Sequence, residues 1–204
     1  MNHALVHHHL SGLRSTDSPP VAFRNHLRQL ACLLAMSATH DLPMTEREIE
    51  TPMAKMKARC LQGRIGIIPI LRAGLGLSEP MLELIPQAEV WHLGVYRDEA
   101  TAEPVEYYSR LDGSKAVDVA LVVDPMLATG GSAVAAINRL KRWGTRDIRL
   151  LSVIAAPEGI ARVGKDHPDV AIHVCSIDEC LNDVHYIVPG LGDAGDRYFN
   201  TLGS

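Results

Sequence analysis

From residue 64 to residue 175, apolar runs of strand length alternate with stretches of helical periodicity. Ile65–Ile70 predicts a strand, Leu75–Leu84 a helix, Val90–Tyr96 a strand and Val117–Asp124 another. Residues 132–143 predict a helix, Ile148–Ala155 a strand, 157–166 a helix and Val170–Cys175 a last strand before a C-terminal loop. Val119-Ala120-Leu121-Val122-Val123 has no polar position, the mark of a strand covered on both faces. Strands alternating with helices at this spacing predict an α/β fold with a doubly wound, mostly parallel sheet and flanking helices. Upstream, apolar residues at 23, 27, 30, 31, 34 and 38 give Val21–His40 a helical stripe. Residues 1–20 read as an irregular N-terminal arm ending in Pro19-Pro20. Residues 41–62, broken by Pro43 and Pro52, fit a short strand or a helix equally. No repeat and no second-domain boundary is visible, so 1–204 reads as a single domain.

In such a sheet, ligands gather beyond the carboxyl ends of the strands. Arg72, Arg97 and Asp124 all follow strand ends. Residues 98–113 form a polar connection too long for an ordinary turn. They read as a flexible arm or hairpin over the site, anchored by Tyr107-Tyr108, or as a surface excursion or subunit contact.

Three strings carry chemistry. Asp124-Pro125-Met126-Leu127-Ala128-Thr129-Gly130-Gly131-Ser132 runs from a buried strand into a helix start. Its glycines let backbone approach an anion, the helix start offers unpaired amides, and Thr129 and Ser132 add hydroxyls. Asp124 is placed to accept from sugar hydroxyls. On the residues alone the string also fits an ordinary turn with a helix cap. Pro69-Ile70-Leu71-Arg72-Ala73-Gly74-Leu75-Gly76 presents a guanidinium suited to two phosphate oxygens, or one paired with a surface carboxylate. Tyr186-Ile187-Val188-Pro189-Gly190-Leu191-Gly192-Asp193-Ala194-Gly195-Asp196 contains a Gly-x-Gly-x-x-Gly match, but too little chain follows it for a dinucleotide-binding unit. It reads as a fixed loop of exposed main-chain groups, or as a glycine-rich turn without a ligand.

Composition narrows the field. A formal net charge of −4 with no block of Lys or Arg argues against nucleic acid. No apolar run has the length of a membrane span, and no secretory signal precedes the domain. The four cysteines lack the spacing of a zinc site, which suits a cytoplasmic protein with reduced thiols. His7-His8-His9 reads as solvated.

In the stated order, the three strings resemble the ribose-phosphate, pyrophosphate and uracil-binding loops of type I phosphoribosyltransferases of the uracil branch. Most type I relatives open the first loop with two acidic residues; Pro125 stands second here, as in that branch. The resemblance runs from about Leu5 to Thr201, includes Ala155–Gly159 and His167–Val170, and is weak over 41–62. It implies transfer of the phosphoribosyl group of 5-phospho-α-D-ribose 1-diphosphate (PRPP) to uracil, giving UMP and diphosphate in pyrimidine salvage. It implies catalytic roles for Arg72, Arg97 and Asp193. Donor contacts would come from those three residues and from Asp124, Pro125, Met126, Leu127, Ala128, Thr129, Gly130, Gly131 and Ser132. The base would be met by Ile187, Gly192, Asp193 and Ala194 within a base-binding loop at 186–196. Magnesium is the implied cofactor, held mainly by the substrate diphosphate and water rather than by protein ligands. A strained Leu71–Gly74 turn admitting a non-proline cis peptide and a homodimer or larger assembly are implied as well. Activation by GTP stays open, because Ala4 stands where many relatives carry proline.

Overall fold

The computed structural model describes residues 1–97, 104–111 and 113–201. Two helices lead: α1 (Ala4–Arg14) and α2 (Pro20–Thr39). A hairpin of β1 (Met44–Glu50) and β2 (Lys55–Leu61) follows. Then come β3 (Ile65–Leu71), α3 (Leu75–Leu84), β4 (Glu89–Val90), β5 (Leu93–Arg97), β6 (Pro104–Tyr108) and β7 (Val119–Val123). The chain continues through β8 (Met126–Leu127), α4 (Gly131–Trp143), β9 (Asp147–Ala155), α5 (Pro157–Asp166) and β10 (Ala171–Ile177). It closes with β11 (Cys180–Leu181), β12 (Ile187–Val188) and α6 (Ala194–Phe199).

The central sheet has the order β10-β9-β7-β3-β5-β6, with β4 beside β3 and β8 beside β9. Its pairs are parallel except β5–β6. Side chains alternate between two buried faces. Ile65, Ile67, Val119, Leu121, Val123, Leu151 and Val153 pack toward α1, α2 and α3. Ile68, Ile70, Ala120, Val122, Ile148 and Leu150 pack toward α4 and α5. Covering both faces removes any need for polar positions, which explains the unbroken apolar runs. β3 and β7 are neighbours in space but are separated by α3, β5 and β6 in the chain. The strand order reverses between them, and the crevice above their carboxyl ends is where such folds place ligands. No helix among the described residues is long and apolar enough to cross a membrane.

The N-terminal and C-terminal regions differ from the sequence reading, and two further regions settle on one of the alternatives it left open. Residues 1–20 are not irregular: His3 caps α1 by accepting the Leu5 amide, and Val6, Leu10 and Leu13 are buried one helical turn apart. Residues 41–62 form the β1–β2 hairpin, in which every residue of β1 is exposed. Apolar side chains of the hairpin, Ile49 and Met56 among them, stay exposed, so no buried stripe told strand from helix. Of the segment expected as an arm, residues 98–103 and 112 lie outside the described residues. The rest returns as edge strand β6 and then buries Leu111 completely. The C-terminal loop carries α6, whose start is capped by Asp193 accepting the Asp196 amide at 2.8 Å.

The crevice needs close backbone packing. A Cβ on Gly74 would sit 2.4 Å from the Val123 carbonyl oxygen and 2.7 Å from the Ile70 backbone, so only glycine lets the turn after β3 lie against the end of β7. Gly74→Ala is expected to cost about 1–3 kcal/mol of stability through overpacking. An unchanged urea midpoint would show that the turn relaxes freely.

Candidate active site

Three loops meet at the carboxyl edge of the sheet. The first leaves β3 through a cis Leu71–Arg72 peptide, which matches the expected turn. Arg72 is well exposed; its Nη2 donates to Asp196 Oδ1 at 3.2 Å, and its guanidinium lies 5.8 Å from the Phe199 ring centre. Of the two local readings of this arginine, the structure shows the pairing with a surface carboxylate. An exposed pair of this kind contributes little energy, so the guanidinium can exchange Asp196 for another anion. The loop also touches the C-terminal segment, where a Cβ on Gly195 would lie 3.9 Å from that of Ala73. Arg97 ends β5, but its side chain lies outside the described residues.

The second loop, Asp124–Ser132, encloses a recess of about 80 Å³ lined by Asp124, residues 126–133, Leu150 and Ser152. Gly130 caps α4 with φ +78°, and no side chain bonds the first-turn amides. Those amides and the positive end of the helix face the recess, so it suits an anion the size of one phosphate. Asp124 stands at its edge, its Oδ1 accepting the Met126 amide at 3.3 Å. Burial pushes the Asp124 carboxyl up to about 7; the Met126 amide opposes the shift, and the negative charge of Asp193 adds to it. The second and third loops are thus coupled through two carboxylates. The floor includes a residue that the sequence reading missed: Ser152 is fully buried, and its Oγ has no hydrogen-bond partner among the described residues. One serine in an apolar strand gave no signal.

The third loop contains a cis Val188–Pro189 peptide, Gly190 at φ +64° and Gly192 at φ +78°. Ile187 is 4% exposed and turns its side chain into the core, leaving its backbone as the group available to a ligand. Neither the Gly192 nor the Ala194 amide has an acceptor among the described residues. Asp193 stands between them with one carboxylate oxygen committed to capping α6.

A clamp from the far end of the chain fixes this loop. Arg14, the last residue of α1, forms a two-pronged ion pair with Asp178, both contacts at 2.6 Å, and donates to the Gly190 carbonyl at 2.8 Å. Asp178 in turn accepts the Gly190 amide at 2.9 Å. Burial alone would raise the Asp178 carboxyl; bonds from Arg14, Gly190 and Ser176, with the Arg14 charge, outweigh it and hold the group below its ordinary value. Arg197 adds a second tie, donating to the Leu13 and Ser15 carbonyls of the α1 terminus and to the Leu191 carbonyl. None of these three residues was found from sequence, because the partners Arg14 and Asp178 lie 164 positions apart.

A protein-family model described as uracil phosphoribosyltransferase matches residues 1–201. A uracil phosphoribosyltransferase of Roseiflexus sp. (strain RS-1) is 55% identical over 199 residues, covering 98% of this chain and 96% of its own. A solved protein from Aquifex aeolicus superposes with a TM-score of 0.93 at 36% identity, covering 100% of this chain and 98% of its own. A purine phosphoribosyltransferase from Pyrococcus horikoshii shares the fold at a TM-score of 0.53 and 16% identity, covering 76% of this chain and 83% of its own.

The raised Asp124 carboxyl has a consequence for stability. Between the ordinary carboxylate value of 3.8 and about 7, the folded protein keeps a proton that the unfolded chain releases. Stability from this group therefore falls as pH rises across that window. Asp124→Asn should remove this component, so the Tm difference between variant and parent should grow in the variant's favour from pH 5 to pH 8. Parallel Tm–pH curves would show that Asp124 ionises without cost.

Proposed function

The chain belongs to the uracil phosphoribosyltransferase family, and we propose that it makes UMP and diphosphate from uracil and PRPP as a salvage pentosyltransferase of the cytoplasm. The observation that carries the assignment of roles is the convergence of a small recess at a helix start, an exposed and weakly paired guanidinium and a clamped loop with unpaired amides at one sheet edge. The recess formed by Asp124–Ser132 takes the sugar phosphate, and Asp124 accepts from ribose hydroxyls. Arg72 and Arg97 hold the diphosphate, and Asp193 faces the donor between the recess and the base loop. Main-chain groups at Ile187, Gly192 and Ala194 read the uracil edge.

In the reaction the C1–O bond to diphosphate breaks as uracil N1 bonds to C1 and loses its proton. Positive charge develops on the ribose ring while negative charge moves to the leaving diphosphate. The arginines stabilise the leaving group, and the fixed base loop holds N1 in line.

Magnesium fits this arrangement in a limited way. Among the described residues there is no group of three ligating side chains able to hold a metal ion. Asp124 and Asp193 nevertheless place two carboxylates close enough to perturb each other, a repulsion that a substrate-bound cation relieves. When bound, the ion would neutralise diphosphate oxygens, held mainly by the diphosphate and water, with Asp124 and Asp193 as the nearest protein carboxylates.

The hairpin supports self-association. Two strands alone are marginal in water, yet β1 and β2 extend with Ile49 and Met56 exposed. A second copy covering this face completes the unit. Ile49→Glu combined with Met56→Glu is expected to convert a dimer or larger assembly to monomer in sedimentation equilibrium. An unchanged assembly would place the contact elsewhere.

Base choice tests the whole assignment. Cytosine reverses the donor and acceptor at two edge positions, and each buried group left unpaired costs roughly 1–3 kcal/mol. Orotate brings a carboxylate into a tight loop beside Asp193. Uracil should exceed both in kcat/KM by at least about a hundredfold. Gly192→Val, at a positive φ, should impair the enzyme more than Ile187→Val, and Asp124→Asn should weaken PRPP binding. Comparable kcat/KM for cytosine or orotate would overturn the proposal.

A further inference from the structure

Gly159 and Arg162 lie three positions apart on α5 and so share a face. That face is pressed against the anion loop. A Cβ on Gly159 would sit 2.4 Å from the Ala128 carbonyl oxygen and 2.9 Å from that of Leu127, so the helix approaches as closely as backbone allows. One turn later, Arg162 is carried over the two loop glycines. Its Cβ lies 3.4 Å from the Cβ position of Gly130, and its Nη1 lies 3.4 Å from that of Gly131. The same Gly131 position is 3.7 Å from Thr129 Oγ1. A hydroxyl and a guanidinium therefore flank one open point at the start of α4.

The charges around this point are unbalanced. Residues 124–132 contain no Lys or Arg, and their one charged side chain is the acidic Asp124. The carboxylates nearest Arg162 in the helix, Glu158 and Asp166, each lie four positions away; Glu158 accepts the Leu181 amide with its Oε1, and neither pairs with Arg162 among the described residues. Arg162 is half-buried and, among the described residues, has no ion pair or hydrogen bond. Arginine cannot shed its charge, so a partly desolvated guanidinium without a partner is matched to an anion from outside the chain.

We infer that Arg162 is a binding residue for the 5-phosphate of the ribosyl donor, bringing a cation to a cradle otherwise made of amides and hydroxyls. The inference rests on the reading of the Asp124–Ser132 recess as the sugar-phosphate site. A phosphate dianion there meets the positive end of α4, the Thr129 and Ser132 hydroxyls and, from α5, a planar donor able to bond two oxygens. The diphosphate end of the donor is left to Arg72 and Arg97.

Ribose 5-phosphate, which lacks the diphosphate, isolates this contact. Its binding to the parent enzyme, Arg162→Ala, Arg162→Lys and Arg142→Ala would be measured by calorimetry, alongside steady-state kinetics. Arg142→Ala removes the same charge from the exposed end of α4, away from the loop. Arg162→Ala is expected to weaken ribose 5-phosphate binding and raise KM for PRPP about tenfold, the scale of a partly buried charge-assisted contact. KM for uracil and Tm should stay at parent values, and lysine should recover part of the loss. Parent-like binding by Arg162→Ala, or an equal loss in Arg142→Ala, would overturn the contact while leaving the recess intact. Failure of the parent enzyme to bind ribose 5-phosphate would instead overturn the sugar-phosphate reading itself.

Discussion

Asp178 is the side chain on which the third loop depends. The proposed reading of a small planar base by backbone groups requires that backbone to be held still, because main-chain groups have no side-chain rotamers with which to correct a misplaced loop. Gly190 is held at both its amide and its carbonyl, by Asp178 and Arg14 respectively. The carboxylate is 2% exposed at its side chain, an unfavourable place for a charge unless its oxygens are fully used. Here one oxygen takes an Arg14 nitrogen and the Gly190 amide, and the other takes Arg14 and Ser176. Removing either partner leaves a buried charge uncompensated, so the loop position and the docking of α1 stand or fall together. The segment that the sequence suggested was an irregular arm is a helix tied to the third loop through Arg14.

A second constraint is the density of backbone at the sheet edge. Gly74 admits the Val123 carbonyl, and Gly159 admits the carbonyls of Leu127 and Ala128. These two contacts seat the turn after β3 and the start of α5 against the loop between them. The recess after β7 is small, about 80 Å³, and lined by the loop backbone together with the side chains of Asp124, Leu150 and Ser152. That smallness favours a single phosphate over a larger group, and it leaves hydrogen-bond direction rather than apolar contact to orient the ligand.

The parts legible in the sequence are those whose physics is local. A doubly covered parallel strand needs five or six apolar residues in a row, and a helical stripe needs a repeat of three and four; β3, β7, β9, α2, α3, α4 and α5 all had one or the other. The Asp124–Ser132 string is local too, since strand end, glycines and helix start follow within nine residues. α1 did carry a signal, Val6, Leu10 and Leu13, but the three histidines between them and the prolines after them masked it. The hairpin had no signal to find, because neither strand buries a face within one chain. Arg14, Asp178 and Arg197 were illegible for a different reason. Each is an ordinary charged residue in its own neighbourhood, and its role exists only after the fold brings the two ends of the chain together.

The electrostatics of the assembled edge favour binding over idle stability. Asp124 and Asp193 repel, and Arg72 rests on Asp196, an exposed and weak pairing. Every one of these arrangements is improved by a ligand that carries phosphates at two ends and hydroxyls between them. The arginine exchanges a weak carboxylate for a diphosphate, the α4 amides gain acceptors, and sugar hydroxyls bonding to Asp124 favour its charged form. A site assembled from partly satisfied groups loses some stability when empty, and part of that loss is recovered as affinity when it fills. The base loop is built the opposite way, with Gly190 saturated and the Gly192 and Ala194 amides left free on a fixed frame. In the proposed function, donor recognition therefore comes from relieving charge, whereas base recognition comes from geometry that does not adjust.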